Sequence, residues 1–418
     1  MRIYKILASI SSYVIMCIHM GYTVTMQDII QMSLNNNYQL ESRKYLIESS
    51  KLNRKGIYSV FFPNVEFGYT FGFNSPQNRP SFLQNSININ AQINLFRGMQ
   101  DIYLYKKSAN DIQIQENNLD SNKNDIVLNT KLAYIQILQN KESLKIARES
   151  IKILEIQLHV TTQFYIQGIS DKSAVLSIEV SLANAKIELA RVQLAINHNL
   201  DILHKLSGRS FSLDSLEDIE IKENIDYDKE KLLQDIYQKN PQFRYMTLLI
   251  QQNLYDTKIS QAQYYPSISL SGQKFWFFID SNNTALPLTQ QSRFQLQATW
   301  NLTNSYTTFY QSQSQKANAI ALNAQYLDLR KDIDTQISNL INSLSVAKQQ
   351  LSLARIALHQ AEENYRIISN RYQQNIINYI ELLNAELLLT NAKSALVNAQ
   401  YDIATNIAKI SHFQNQQF

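Results

Sequence analysis

The chain has 418 residues, is 44% hydrophobic and only 18% charged, and carries a formal net charge of +4. No basic stripe with interleaved aromatics is present, which argues against nucleic-acid binding. Eight glycines and six prolines are few for this length and favour long uninterrupted elements, with Asn and Gln carrying much of the polarity.

Arg2 and Lys5 precede an apolar run from Ile6 to Ile18 that ends near Gly21. This is the layout of a secretory signal, too short for a membrane-spanning helix, and residues 1–21 are assigned to it. His19-Met20-Gly21 is a weak cleavage site. The sole cysteine, Cys17, lies inside this segment, so its removal there leaves a mature chain without thiol or disulfide chemistry. Met16 is bulky where a small residue usually precedes a lipidated cysteine, which argues against an anchor at Cys17.

From residue 22 onward the chain repeats itself. NNNYQL at Asn35 resembles QKNPQF at Gln238, FFPNVEF at Phe61 resembles YYPSISL at Tyr264, and AQINLF at Ala91 resembles TWNL at Thr299. Further on, Phe164 to Ile169 resembles Arg371 to Ile376, and Leu182 to Lys186 resembles Leu389 to Lys393. The offset is about 203 residues before the strand loop and about 207 after it, so the second loop is longer. The first repeat spans 22–208 and the second 228–418. Between them, 209–227 is an acidic stretch read as a solvated linker.

Each repeat reads helix, strand, strand, helix, helix. The first helix opens at Thr25, with Asp28 placed to form a capping pair, and continues to about Tyr58. Strands are expected at about 64–74 and 85–97, and again at about 266–278 and 293–303. In SININAQINLF, residues 86–96, Ile87, Ile89, Ala91, Ile93 and Leu95 fall on one face; Asn88, Asn90, Gln92 and Asn94 fall on the other. The second repeat reproduces the amide face with Gln295, Gln297, Thr299 and Asn301. Between Met99 and Gln167 there is neither Gly nor Pro, enough for roughly 100 Å of helix. Leu144, Ala147, Ile151, Leu154, Leu158, Thr161 and Tyr165 step by three and four, as do Leu351, Ala354, Leu358, Ala361, Tyr365, Ile368 and Tyr372, the spacing of coiled-coil seams. Gly168 and Asn375 suit the left-handed turn of a helical hairpin tip. Two shorter helices end to end match one long helix, which suggests a tall, narrow object.

Four strands cannot close a membrane barrel, for which eight is about the minimum, and open edges in lipid are costly. Three copies would supply about twelve strands around a water-filled interior lined by the amide face. Phe61, Phe62, Tyr264, Tyr265 and Trp300 would then sit at an interfacial girdle.

The tandem repeat, the aromatic-aromatic-Pro strand entry, and the Tyr-x-x-Gly or Asn tips followed by an Asn-Ala-Lys helix together resemble the TolC family of outer-membrane efflux and secretion channels, over nearly the whole mature chain. The resemblance implies a mainly α fold with a small β part: long coiled-coil helices in a trimeric α-barrel joined to a 12-stranded transmembrane β-barrel, four strands per chain. It implies a location in a Gram-negative-type outer membrane, extending into the periplasm. The partners implied are a periplasmic adaptor protein docking at the tips Gly168 and Asn375, and an inner-membrane RND or ABC transporter. The function implied is a passive exit duct for small toxic compounds in a tripartite efflux system. Polypeptide secretion with an ABC-type pump, or a non-conducting coiled-coil surface protein, are the alternatives.

By position, the family's acidic pore-mouth residues fall on Glu381 and Asn384. Three copies of Glu381 would form a carboxylate ring that attracts cations. The tyrosine of the family's inter-helix lock falls on Tyr372, so the expected constriction comprises Glu381, Asn384 and Tyr372. The lock's arginine position holds Ile377 and its acidic position holds Ala174, a departure that Arg371 or Asp171 would have to make good. No cofactor or metal site is expected. The six histidines are scattered, His198 and His204 do not share a helical face, and neither phosphate loops nor nucleophile elbows occur.

Overall fold

A computed structural model describes residues 24–75, 77, 82–281, 284–285 and 289–415. The expected signal segment with Cys17 lies outside the described residues. Among the described residues there are eight α-helices: α1 Met26–Asn36, α2 Tyr38–Tyr58, α3 Gln100–Ile166, α4 Lys172–Ser207, α5 Lys229–Lys239, α6 Pro241–Gln261, α7 Asn304–Gln373 and α8 Tyr379–Phe413. The strands are β1 Asn64–Asn74, β2 Phe82–Arg97, β3 Ser267–Ser281, the two-residue β4 Thr284–Ala285, and β5 Thr289–Thr299. The protein is mainly helical, with one small antiparallel sheet.

The opening helix of each repeat is broken in two, contrary to the single helix expected. Asn37 adopts an extended conformation between α1 and α2, and its side chain accepts from the Gln39 amide at 2.9 Å. Asn240 does the same between α5 and α6, accepting from Gln242 at 2.8 Å, with Pro241 as first helical residue. An asparagine cap supplies the oxygen that a new helix start needs, and proline has no N–H to leave orphaned there. At α1 the Thr25 and Asp28 side chains each accept the other's backbone N–H at 3.1 Å, a capping box.

The chain forms two compact units. Of the described residues, one unit comprises those up to Asn36, Thr130–Lys222 and Gln350–Tyr401; the other comprises those in Asn37–Asn129, Glu223–Gln349 and 402–415. The first is a set of coiled helices. Its buried seam on α3 runs through Leu144, Ala147, Ser150, Leu154, Gln157 and Thr161. Ser150 and Gln157 thus take places that the three-four reading gave to Ile151 and Leu158, which are only half-buried. Tyr134 is wholly buried here, and its hydroxyl donates to the Glu217 carbonyl at 2.6 Å, with the Val24 carbonyl at 3.2 Å. Burial pushes that hydroxyl well above the usual tyrosine range. A parallel bridge between Val24 and Leu216 and an ion pair from Lys141 to Asp218 at 2.8 Å hold the same stretch. The acidic segment is therefore pinned at this end through its backbone, which a freely solvated linker would not be.

The second unit explains part of the amide-rich composition. Asn110, Asn117 and Asn124 recur every seven residues on α3. Each donates from its side chain to a backbone carbonyl: Leu248 at 2.8 Å, Pro241 at 2.9 Å and His412 at 2.8 Å. The bond satisfies the buried amide nitrogen of each side chain and ties α3 in register with its neighbours. Phe243 packs edge-on to Tyr237 and Tyr326 beside this row.

The sheet also belongs to the second unit. β1 pairs with β2, β2 with β3, and β3 with both β4 and β5, all antiparallel. Along one row Glu66, Asn90, Gln273 and Arg293 are cross-strand partners; one residue along, Phe67, Ile89, Lys274 and Ser292 are. Where side chains are described, polar residues thus follow one face across the four long strands except at Phe275 and Phe277, and the other face is mostly apolar, with Lys274, Gln290 and Ser292 among its polar members. A bulge shifts the β2–β3 register between Asn94 and Phe96, so Phe96, and not Leu95, stands opposite Ile268. β5 ends at Thr299, which removes Asn301 from the strand. There the Trp300 indole donates to the Tyr264 carbonyl at 3.2 Å, and the chain turns into α7.

Candidate functional site

The helical hairpin tips are built alike. Gly168 and Asn375 both have positive φ, 74° and 56°. At the first, the Gly168 amide donates to the Tyr165 carbonyl at 3.0 Å and the Ile169 amide to Phe164 at 2.8 Å. At the second, Asn375 donates to Tyr372 at 2.9 Å and Ile376 to Arg371 at 2.9 Å. Both are Schellman closures, which satisfy the last carbonyls of a helix and need a residue that tolerates the left-handed region.

The helices leaving the tips start with different chemistry at equivalent places. Asp171 caps α4, accepting from the Ala174 amide at 3.1 Å and from the Ser173 hydroxyl. Asn378 accepts from the Glu381 amide at 3.1 Å. The Ser173 and Ala174 bonds hold the Asp171 carboxyl below its ordinary range. The depressed value means that this cap is fully present above the unfolded carboxylate range and is lost as pH falls through the lower folded value. Amide exchange at Ala174 is expected to lose protection on acidification relative to Glu381, whose cap does not titrate. Asp171→Asn should abolish the difference; equal pH responses in the parent protein would refute it.

Glu381 and Asn384 are both exposed, in the first turns of α8. Tyr372 is not: it is 5% exposed, its hydroxyl lies 2.5 Å from that of Thr161, and its ring packs against Phe164 at 5.8 Å. Burial raises its pKa. The structure thus does not bring Tyr372 to the same surface as Glu381 and Asn384. Asp171 is engaged in its own helix cap, and the partner of Tyr372 is Thr161, so a neutral hydroxyl pair stands where an ionic lock was sought. One seam position missed by the sequence reading is Glu386, 6% exposed, which accepts from Ser150 at 2.5 Å and from Thr390 at 2.9 Å. It borders a 430 Å³ cavity lined also by Ser181, Asn184, Glu188 and Asn384. Only the interruption of apolar spacing at Ser150 and Glu386 could have signalled this cluster.

Of the expected water-facing strand residues, Asn88, Asn90, Gln92, Asn94, Gln295, Gln297 and Thr299 share one face by register. Glu66 and Arg293 lie on that face as well. Among the described residues no group of His, Cys, Asp or Glu side chains is arranged to hold a metal ion, and no helix is long and apolar enough to cross a membrane.

Two tandem helical hairpins carrying a four-stranded, two-faced sheet define the subunit architecture of an outer-membrane channel. The outer membrane efflux protein family model matches residues 29–209 and 232–413, and the chain belongs to that family. Comparison with curated protein sequences gives no match. Among solved structures, the outer-membrane channel OprN is similar at 16% identity and a TM-score of 0.80, over 94% of this chain and 90% of that one. CusC is similar at 14% identity and 0.79, over 94% and 93%. VceC from Vibrio cholerae is similar at 16% and 0.77, over 93% and 96%.

Proposed function

We propose that the protein is the outer-membrane exit duct of a tripartite efflux system, passively conducting small toxic compounds delivered by an inner-membrane RND or ABC transporter through a periplasmic adaptor. The observation that carries this reading is the sheet. Its apolar face is solvent-exposed in the single chain, with Phe67 at 72%, Phe71 at 63% and Phe294 at 85%. Its outer long strands, β1 and β5, each have one paired side among the described residues. A sheet with one greasy face, one amide face and two open edges is stabilised by joining copies of itself in lipid. Three copies give about twelve strands, enough to surround water. The long helices then extend into the periplasm, and the Gly168 and Asn375 tips meet the adaptor.

Planar-bilayer recording of the purified chain tests the duct: a preparation that assembles yet never conducts, even with the mouth altered, refutes it. Within the duct, exposed Glu381 repeated around the axis forms a carboxylate ring with Asn384 one turn further in. Glu381→Ala is expected to lower cation preference and relieve block by divalent ions. Unchanged reversal potentials and unchanged block would remove the ring from this account.

A further inference from the structure

Two side chains break the polar face of the sheet. Phe275 stands in register opposite Asn88 and Gln291, and Phe277 opposite Ser86, while Trp276 between them opposes Ile87 on the apolar face. The other strand positions whose side chains are described on the polar face are polar or glycine, from Asn64, Glu66 and Gly68 on β1 to Arg293, Gln295 and Gln297 on β5. The two Phe rings lie with centroids 5.7 Å apart and planes within 10° of parallel, and both are half-buried. Strand alternation alone would be served by any small polar residue here, as it is at Ser267, Ser269 and Ser271.

We propose that Phe275 and Phe277 form a contact site for planar apolar groups within the duct, where a flat ring stacks on the phenyl pair. This rests on the duct reading above. Ring faces carry partial negative charge, so a flat cationic aromatic gains from both stacking and attraction to the ring face. Asn88 and Gln291, opposite Phe275, offer amide groups to the polar edge of such a molecule. Gly68, at the end of the same row, bears no side chain, and the Asn88 amide occupies the space where a Cβ there would fall, with its oxygen 2.5 Å away. The row keeps a low polar rim beside the rings. A barrel of about twelve strands is too wide for phenyl groups to close, so the site retains cargo briefly and does not gate.

The test is single-channel recording of the full chain with ethidium as probe and tetrapropylammonium as a non-planar cation of equal charge. Ethidium is expected to produce brief current blocks that tetrapropylammonium does not. In Phe275→Ser/Phe277→Ser, ethidium block should weaken about tenfold while open-channel conductance changes little. Phe275→Trp/Phe277→Trp should retain block, and each single serine variant should lose about threefold, so a misfolded double variant does not leave the matter open. Conducting channels that ethidium does not block, or block that survives in the serine variants, overturn the proposal alone. Absence of any conductance overturns the duct reading and the contact site together.

Discussion

Gly98→Ala is expected to prevent the protein from reaching its folded form. Gly98 sits between β2 and α3 with φ of +60°, followed by Met99 at +70°. Two consecutive left-handed residues turn the strand into the helix. A side chain at the first costs about 1–3 kcal/mol in backbone strain. Space is the larger obstacle. A Cβ at Gly98 would lie 2.2 Å from the Ala262 carbonyl oxygen and 2.9 Å from its carbon. Those are backbone atoms of a residue only 4% exposed, at the end of α6, where the chain is about to enter β3. The neighbour cannot swing aside as a flexible side chain would, and forced overpacking adds about 1–3 kcal/mol more. Gly56 makes the control. Nothing lies within 4 Å of a Cβ there, and it falls inside α2. Gly56→Ala should stabilise by about 0.5–1 kcal/mol. Protease resistance and folded yield of the two variants measure the contrast, and a Gly98→Ala protein as resistant as its parent would refute the argument.

Lysine at Ile89 is expected to block assembly, where lysine one residue further on, at Asn90, leaves assembly intact and shifts ion selectivity. Ile89 stands opposite Phe67 and Lys274 on the apolar face. A second lysine there meets like charge directly across the ladder, and a cation facing lipid costs about 2–4 kcal/mol near the midplane. Lys274 itself is accommodated with its ammonium 5.3 Å from the Trp276 ring, an arrangement that Phe67 and Ile89 do not offer a newcomer. Asn90 shares its row with Glu66, Gln273 and Arg293, where charge already faces the polar side. Oligomer yield in detergent and reversal potential in bilayers read the two outcomes, and the opposite pattern would invert the assignment of faces.

Periodicity and punctuation made much of the fold legible. The absence of Gly and Pro after Met99 marked a helix that runs for 67 residues, and Gly168 and Asn375 marked turns because few other residues tolerate positive φ. The breaks at Asn37 and Asn240 were not legible, since in an asparagine-rich chain a capping Asn looks like any other. The bulge at Leu95 was hidden for a different reason: alternation counts residues along one strand, and an extra residue shows only against a partner. The expected constriction set of Glu381, Asn384 and Tyr372 divides by burial, the first two being exposed and Tyr372 buried. Its burial depends on Thr161 and Phe164, which are far away in sequence. Glu386 escaped because a glutamate on a helix normally faces water. Only the Ser150 and Thr390 hydroxyls brought to it by packing make an inward carboxylate tenable.

The open sides of β1 and β5 also bear on how the protein is made. A lone chain offers two templates on which any extended segment can add, and its exposed phenyl groups reward such additions. Productive pairing and aggregation therefore compete for the same edges. Escort by a chaperone, or slow synthesis, should matter more to the yield of this protein than the intrinsic stability of its helices, and overproduction should divert chains into insoluble material before those edges are paired.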